Sequence, residues 1–423
     1  MIVFRNWFTF YEGSEMAEPV HIIGAGRTDF KRNFKKEGKT LRHVILEAAQ
    51  TAIADSGIDP AAIQSGVVGN FASGLFTRQL HLGSFLTEVD PRLRGIPTLH
   101  TEAACASGAT AVLVAAQQIM AGLHDVVLIV GAEQQKTMSP AEGSDVLGAA
   151  GDYEPEKKIY GEFMFPKLFA RIAQIYMDTF ALTDRQLSQV AVKNYAHARK
   201  NRFAQMRDTE LTVETCAVSE QNALVAPPLK KTDCSQITDG GAALVMCSDR
   251  FLKSLGGHPS IRLLGFGQTT DYLPLDKKDV PDFPFARKAA DQAYAMAGLG
   301  PDDIQAAEVH DCFSISEIVA YEILRFAPPG GGPGLLDSGA TALPFARSLF
   351  TTRQAPFSRP VNTGGGLMGD GHPVGATGVR QVTEAYAQLT GAAGPRQIPG
   401  IERHLTFNMG GSMTTAIVMI WGK

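Results

Sequence analysis

The strongest constraint on the fold is an internal repeat in the sequence. Three segments recur in the same order: residues 21–28 match 262–269, residues 56–63 match 297–304, and residues 107–110 match 374–377. The first two pairs share an offset of 241, and the third has an offset of 267, which places Cys105 opposite His372. Ordered matches of this kind indicate two homologous halves. Because each half alternates strands and helices, we predict layered α/β packing.

The first half contains the clearest predicted elements. Val20 to Gly24 is predicted to form a strand, and Leu41 to Ser56 a helix that ends at Gly57. Val67 to Asn70 and Asp125 to Gly131 are apolar runs that predict further strands. Both halves should therefore contribute strands to a sheet and helices to its faces.

A long segment of the first half has no counterpart in the second. It runs from residue 132 to roughly 235, and we predict that it forms an inserted cap over one face of the fold. Its predicted parts are a loop from Ala141 to Gly161 and helices near Pro166 to Ala181 and Asp184 to Lys200. Thr183 and Gln186 have the spacing of a capping box at the start of the second helix.

The predicted organisation has three parts. Residues 1–19 are an N-terminal extension that lacks the charged-then-apolar order of a signal peptide. Residues 20–259 form the first half with its cap, and residues 260–423 form the second half. A segment rich in turn formers, Pro328 to Gly334, is predicted to interrupt the second half as a loop.

The balance of residue types excludes several classes of protein. The chain has 39 Lys and Arg against 43 Asp and Glu, a net charge of −4 that gives no support for nucleic-acid binding. Five cysteines without a Cys-x-x-Cys pair are neither a disulfide framework nor a zinc ribbon. No apolar run approaches the length of a membrane span. We therefore expect a reduced, cytoplasmic protein.

Cys105 is the first candidate for chemistry. It lies where an alanine-rich helix is predicted to begin, and its neighbours are small, which leaves the sulfur unobstructed. A thiol at a helix N-terminus lies at the positive end of the backbone dipole, which favours the thiolate and predicts a nucleophile. The alternative is a small buried core cysteine, which is the commoner environment of a free cysteine.

A second cluster, His310-Asp311-Cys312, follows a predicted strand. Reactive side chains at the end of a strand are typical of α/β active sites. A metal site is one alternative, although the nearby sequence supplies no third or fourth ligand. A core cysteine beside Asp311 as a helix N-cap is another, and these residues alone leave the alternatives open.

A glycine-rich stretch, residues 362–378, surrounds His372. Pro373 suits the first position of a helix, so His372 also caps a helix start. A neutral imidazole there can accept a proton from a thiol. A phosphate-binding loop is the alternative, but no Gly-Lys-Ser/Thr follows. Leu405 to Ser412 predicts a strand that runs into a glycine turn, whose backbone N–H groups could hold an oxyanion.

Together these motifs resemble the thiolases over nearly the whole chain, from Val20 to Trp421. The stretch that contains His372 is the most specific part of the likeness. The resemblance implies an α/β thiolase fold, with two homologous halves in a layered αβαβα arrangement and an inserted cap (loop) domain.

Within that family the sequence is most similar to the sterol-carrier-protein-type branch. In this branch His-Asp-Cys-Phe, here residues 310–313, replaces the usual Asn-Glu-Ala-Phe. Most other thiolases have a second catalytic cysteine in the last glycine turn, where this chain has Asn408 or Met409. The resemblance implies that Cys312 supplies the missing sulfur.

The resemblance also implies the reaction, a ping-pong acyl transfer. Cys105 would attack a 3-oxoacyl-coenzyme A, or be acylated by an acyl-coenzyme A, and His372 would activate it. Cys312 would move the proton at the α-carbon. His310, with a water and His372, would hold one oxyanion, and the N–H groups of Cys105 and Gly410 would hold the other. Coenzyme A is then a substrate, and we expect no bound cofactor and no metal.

Two other functions remain as alternatives. One is a retro-aldolase, a C–C lyase that acts on a coenzyme A thioester side chain with a small OB-fold and zinc-ribbon partner protein. The resemblance implies that such relatives lose the cysteines, whereas Cys105 and Cys312 are present here. The other is a non-catalytic lipid-binding or scaffolding protein, against which the same residues argue. The acyl chain, the direction of the reaction and the residues that contact coenzyme A cannot be identified from the sequence.

The resemblance further implies a homodimer or a dimer of dimers. The chain from Ile96 to Ala104 leads into Cys105 with few charges beyond Glu102. The resemblance implies that two copies pack edge to edge through a central strand of the first half, and a shared interface would hold this segment still.

Overall fold

The computed structural model describes residues 18–351 and 357–423. The predicted N-terminal extension, residues 1–19, lies outside these ranges except for its last two residues. Within the described ranges the strands are β1 Val20–Arg27, β2 Ser65–Gly69, β3 Thr98–Thr101, β4 Val126–Gln134, β5 Leu224–Ala226, β6 Leu229–Lys230, β7 Asp239–Ser248, β8 Ile261–Thr270, β9 Ala306–Glu308, β10 Arg403–Gly410 and β11 Thr415–Gly422. The helices are α1 Leu41–Ser56, α2 Ser73–Phe76, α3 Ser107–Met120, α4 Pro140–Gly148, α5 Tyr153–Tyr160, α6 Met164–Phe180, α7 Asp184–Ala198, α8 Asp249–Ser254, α9 Pro284–Ala297, α10 Ser314–Ile323, α11 Gly332–Asp337 and α12 Thr377–Thr390.

The strands show the same duplication as the sequence. In the described part of the chain, nine of them pair in the order β3-β2-β4-β7-β1-β8-β11-β10-β9. The set β2-β4-β7-β1 is repeated as β9-β10-β11-β8, with one parallel pair followed by antiparallel pairs in each. The two sets meet where Ile22 pairs with Ile261. Strand β3 extends the first set and forms an outer edge.

Helices α3 and α12 form the middle layer of the molecule. They pack against each other, and α12 also contacts β1 and β7 of the first set and β10 of the second. On the outer sides, α1 packs on β1, β4 and β7, while α9 packs on β8 and β11. The layers therefore follow the order helix, strand, helix, strand, helix, which confirms the predicted fold class.

Local signals explain why some elements are predictable. Helix α1 has the predicted bounds because Gly57 adopts φ +63° and ends the helix in the left-handed conformation. Thr183 and Gln186 form the predicted capping box at the start of α7. Both features depend on residues within one turn of the helix end, so the sequence alone reveals them.

The cap contains more helix than predicted. Helices α4 and α5 occupy most of the segment that we expected to be a loop from Ala141 to Gly161, so that prediction is wrong. The signal was present, because Ser139 and Glu142 form a capping box with Pro140 at the first helical position. The predicted loop from Pro328 to Gly334 likewise contains the start of α11. Strand β4 continues to Gln134, so the cap begins after that residue.

No helix in the described ranges combines the length and the apolar character that crossing a membrane requires.

Candidate active site

Three segments that are distant in sequence bring Cys105, His310 and His372 together. Cys105 lies just before α3, His310 follows β9, and His372 lies at the end of the glycine-rich stretch before α12. The sulfur of Cys105 and one ring nitrogen of each histidine all lie within 4.8 Å of one another. All three residues are buried, and His372 retains the most exposure, at 7%. The structure thus groups three of the four predicted catalytic side chains in one small space.

The backbone around Cys105 is sharply turned. Ala104 adopts φ +51°, an unfavourable conformation for alanine, and α3 begins two residues after Cys105. The glycine turn after β10 packs directly on this segment, because a Cβ at Gly410 would lie 2.2 Å from the carbonyl oxygen of Ala103. This close approach requires glycine at position 410 and places the turn beside the thiol.

The electrostatic environment of Cys105 does not favour the thiolate that we expected. Burial, together with the nearby carboxylate of Glu133, raises the pKa of the Cys105 thiol to about 12. Backbone N–H groups of Gly411 and Cys105 itself lower the pKa, but by less. The predicted nucleophile therefore rests as a thiol, which would need a base before it could attack.

His372 has the tautomer of a base. Its Nδ1 lies 2.7 Å from the hydroxyl of Thr377, which donates to the carbonyl oxygen of Pro373 and so accepts from Nδ1–H. Nε2 is then unprotonated and is the nitrogen available to Cys105. Burial lowers the pKa of His372 to about 3, which keeps the ring neutral at physiological pH.

His310 has the opposite tautomer. Nδ2 of Asn408 donates to Nδ1 of His310 at 2.8 Å, so Nε2 carries the proton. Among the described residues Nε2 has no hydrogen-bond partner, although it is fully buried. The two rings meet edge to face, with centroids 5.1 Å apart. Burial and the neighbouring His372 hold the pKa of His310 well below its usual range. His310 thus offers the site a neutral N–H donor.

Cys312 is buried near Cys105. Its sulfur lies 3.8 Å from the hydroxyl of Ser316 on α10. Burial, and secondarily the nearby Cys105, hold the pKa of Cys312 well above its usual range. The surroundings of Cys312 therefore do not stabilise a thiolate in the resting site. At neutral pH the Cys312 thiol is protonated, so in the resting site it can donate a proton but cannot accept one.

The carboxylate of Asp311 is hydrogen-bonded to the glycine-rich stretch and to α7. Its carboxylate accepts hydrogen bonds from the backbone N–H groups of Leu367 at 2.6 Å and Met368 at 3.2 Å, and from Nδ2 of Asn194 at 2.7 Å. Burial raises the pKa of the Asp311 carboxyl to about 7, so its pKa alone does not exclude it as a base. Its geometry is the better argument, because these bonds fix the glycine-rich stretch that leads to His372.

Several residues of the site were missed in the sequence. Glu133 accepts hydrogen bonds from the N–H groups of Phe71 and Gly375, and so ties the stretch that carries His372 to the first half. Gln135 donates to the carbonyl oxygen of His372 at 2.6 Å. Both residues lie at the carboxyl end of the buried strand β4, and that position in the sequence could have identified them as candidate site residues. No comparable sequence signal marked Thr377 and Asn408. Their roles depend on the hydrogen bonds that they make to Nδ1 of His372 and Nδ1 of His310, which only the structure shows.

Cys105, His310 and His372 lie close enough together to be considered as metal ligands. The sequence argument against a metal was that no further ligand lies near His310, but the fold brings Cys105 and His372 to it. That argument therefore fails in three dimensions. In the tautomer that Asn408 imposes, however, Nε2 of His310 carries a proton and has no lone pair for a metal.

Aromatic side chains of the cap border the site. Phe169 of α6 stacks on Phe313, the residue after Cys312, with ring centroids 4.5 Å apart. Phe165 packs against the same ring at 6.3 Å. Tyr176 instead packs with Phe180 at the far end of α6. Helix α6 of the cap therefore packs on Phe313, the residue next to Cys312, through apolar contacts.

Comparisons with known proteins match both halves. The family model "Thiolase, N-terminal domain" matches residues 20–250, and "Thiolase C-terminal domain-like" matches residues 267–423. An acetyl-CoA acetyltransferase of Methanothermobacter thermautotrophicus is 35% identical over 96% of this chain and 99% of its own length. Sterol carrier protein 2 of Gallus gallus is 29% identical over 93% of this chain and 70% of its own length. The solved structure "Ltp2-ChsH2(DUF35) aldolase" has a TM-score of 0.76 and 22% identity, and covers 96% of this chain and 98% of its own.

Proposed function

The chain belongs to the thiolase family and is an acyl-coenzyme A acyltransferase, and we propose that Cys105 carries the acyl group between two coenzyme A thiols. In the cleavage direction, the thiolate of Cys105 attacks the 3-oxo carbonyl of a 3-oxoacyl-coenzyme A. The bond between the α- and β-carbons breaks, and acetyl-coenzyme A leaves as its enolate and is protonated. Coenzyme A thiol then attacks the acyl-enzyme and releases the shortened acyl-coenzyme A. The Claisen condensation runs through the same steps in reverse.

The proposal rests chiefly on the opposite tautomers of the two histidines. Because the pKa of Cys105 is raised to about 12, the thiol needs a neutral base within reach, and Nε2 of His372 meets that need. Nε2–H of His310 supplies the donor for a developing oxyanion. One ring accepts a proton while the other donates a hydrogen bond, as acyl transfer requires.

Two oxyanion sites complete the proposal. The backbone N–H groups of Cys105 and the turn at Gly410 hold the oxyanion that forms on the acyl carbonyl. His310, with a water and His372, holds the enolate oxygen. Cys312 protonates the enolate carbon in the cleavage direction and removes the α-proton in the condensation. The site needs no metal and no bound cofactor for these steps, with coenzyme A as a substrate.

The test is to locate the acyl group. We expect the enzyme, incubated with acetyl-coenzyme A and quenched in acid, to carry one acetyl group on the peptide that contains Cys105. A Cys105→Ser variant should lose turnover, whereas Cys216→Ala, which removes a buried thiol from the cap, should not. An adduct on another residue, or full activity of Cys105→Ser, would refute the assignment.

A second candidate is a retro-aldolase that acts with a small partner protein. Its support is the likeness in fold to the Ltp2-ChsH2(DUF35) aldolase. The cluster of Cys105, His372 and Cys312 favours the thiolase reaction. Assays with short, long and aromatic thioesters in both the 3-oxoacyl and the 3-hydroxyacyl form separate the two. A thiolase cleaves the 3-oxoacyl form and consumes coenzyme A, whereas a retro-aldolase cleaves the 3-hydroxyacyl form to an aldehyde or ketone without consuming coenzyme A.

We also propose a homodimer or dimer of dimers in the cytoplasm. Strand β3 is an edge strand whose Leu99 and His100 are exposed, so its backbone is available for pairing with a second copy. It leads directly to the segment that carries Cys105. The five cysteines are free thiols in the structure, which suits a reducing compartment.

A further inference from the structure

Lys278 is a buried lysine that the reaction scheme does not use. It lies in the segment between β8 and α9, and its ammonium donates to the carbonyl oxygen of Ser412 at 2.6 Å, the hydroxyl of Ser412 at 3.0 Å and the hydroxyl of Thr414 at 2.7 Å. These three bonds use all of its N–H donors. Within the described residues Lys278 forms no ion pair with a carboxylate. Its charge is therefore held by neutral oxygens of one turn.

A buried ammonium without a counter-ion is unfavourable for folding. Burial lowers the pKa of Lys278 to about 8, and the more distant carboxylates of Asp271 and Glu156 only partly oppose this effect. Three neutral acceptors offset part of the desolvation energy. A methionine would fill similar space without that cost, so the charge calls for a functional reason.

The turn that Lys278 holds belongs to the proposed active site. It joins β10 to β11, and Gly410 at its start packs on the carbonyl of Ala103. Gly411 adopts φ +62°, and its N–H lowers the pKa of the Cys105 thiol, so this group faces the sulfur. The carbonyl of the next residue, Ser412, accepts from Lys278. The ammonium of Lys278 thus binds the turn through Ser412, and the neighbouring N–H of Gly411 faces the sulfur of Cys105.

We propose that Lys278 is a positioning residue that fixes the Gly410–Thr414 turn and places a positive charge behind the oxyanion site. This inference rests on the proposed function, because it assumes that the turn stabilises negative charge on the sulfur and the acyl oxygen. A fixed cation in a dry site stabilises such charge more than water does. Its three bonds also keep the N–H groups oriented before the charge develops.

Deprotonation of Lys278 gives the proposal a distinctive dependence on pH. Acylation should slow as the pH rises through about 8, because the charge is then lost. Stability should change in the opposite direction. The unfolded lysine keeps its ordinary pKa of about 10.5 and binds more protons than the folded state between pH 8 and 10.5, so stability rises with pH there. The thiol of Cys105 does not titrate in this range, and the histidines remain neutral. Burial raises the pKa of Glu133 and of Asp311 to about 7, so only the part of the decline that Lys278→Met abolishes is assigned to Lys278.

The experiment measures acylation of Cys105 by acetyl-coenzyme A in single turnover between pH 6.5 and 10. This half-reaction needs no free coenzyme A thiol, whose own ionisation would otherwise interfere. We expect Lys278→Met to acylate about tenfold more slowly, with similar affinity for acetyl-coenzyme A and without the decline above pH 8. Lys278→Arg should keep most of the rate and move the decline beyond pH 10. The exposed neighbour gives the matched control, and Lys277→Met should behave as wild type.

The outcomes separate the two proposals. Failure of the wild-type enzyme to acylate Cys105 refutes the proposed function. If the wild type acylates but Lys278→Met has the wild-type rate and pH profile, the role of Lys278 is refuted. Should Lys278→Met not fold, the comparison of Lys278→Arg with wild type still decides, because an unshifted decline above pH 8 refutes the role.

Discussion

Replacing Cys312 by alanine should separate the two halves of the reaction. We expect Cys312→Ala to form the acyl-enzyme at Cys105 at close to the wild-type rate, because Nε2 of His372 still accepts the thiol proton. Exchange of the α-proton of acetyl-coenzyme A should fall by about 10²-fold or more, the usual effect of losing a general acid or base. That loss corresponds to about 2.7 kcal/mol in the activation free energy.

The structure indicates that this variant folds. Cys312 is 3% exposed, and its thiol has only weak polar contacts, with the hydroxyl of Ser316 at 3.8 Å and the backbone N–H of Phe313. Removal of one buried sulfur should lower the free energy of unfolding by about 1–2 kcal/mol, a modest change for a domain of this size. Because the pKa of Cys312 lies well above its usual range, the thiol is ready to protonate the enolate in the cleavage direction. Cleavage should therefore show the loss most directly.

The assay is hydrogen–deuterium exchange at the α-carbon of acetyl-coenzyme A, followed by mass spectrometry. Cys247→Ala is the matched control, since Cys247 is a fully buried thiol on β7 that packs towards α1. Asp311→Asn tests the alternative base, with unfolding measured in parallel because Asp311 holds the glycine-rich stretch. If Cys312→Ala exchanges at the wild-type rate while folded Asp311→Asn does not, the base is Asp311 and the reasoning fails.

Two further predictions concern assembly and the base. Light scattering at micromolar concentration should give twice or four times the chain mass. Leu99→Asp, on the exposed edge strand, should lower the measured mass, and a wild-type monomer would contradict the proposed dimer. Thr377→Val keeps the shape of the side chain but removes the partner of Nδ1 of His372, so acylation should slow by about five- to tenfold, the effect of one hydrogen bond of roughly 1 kcal/mol. Thr383→Val on the same helix is its control, and equal rates for the two variants would remove Thr377 from the mechanism.

The sequence predicted those parts of the molecule that depend on local signals or on a motif. The bounds of α1 depend on Gly57 at its end, and the repeat predicted a second half with strands and helices of its own. The order of the strands was not predicted and comes from the structure. Cys105 and His372 were identified because their surroundings are distinctive. The pKa values were not predictable, because burial by distant parts of the chain reverses the effect of the helix terminus on Cys105.

The duplication itself explains why the site lies where it does. Two homologous halves that pack across a shared middle layer bring equivalent helix starts together, and here those helices are α3 and α12. The contact is made by equivalent glycines, because a Cβ at Gly108 would lie 2.7 Å from the carbonyl oxygen of Gly375, its counterpart at the offset of 267. Residues just before the two helix starts must therefore face the same space. In one half that residue is Cys105 and in the other it is His372, so the proposed pairing of a nucleophile with its base follows from the symmetry of the fold.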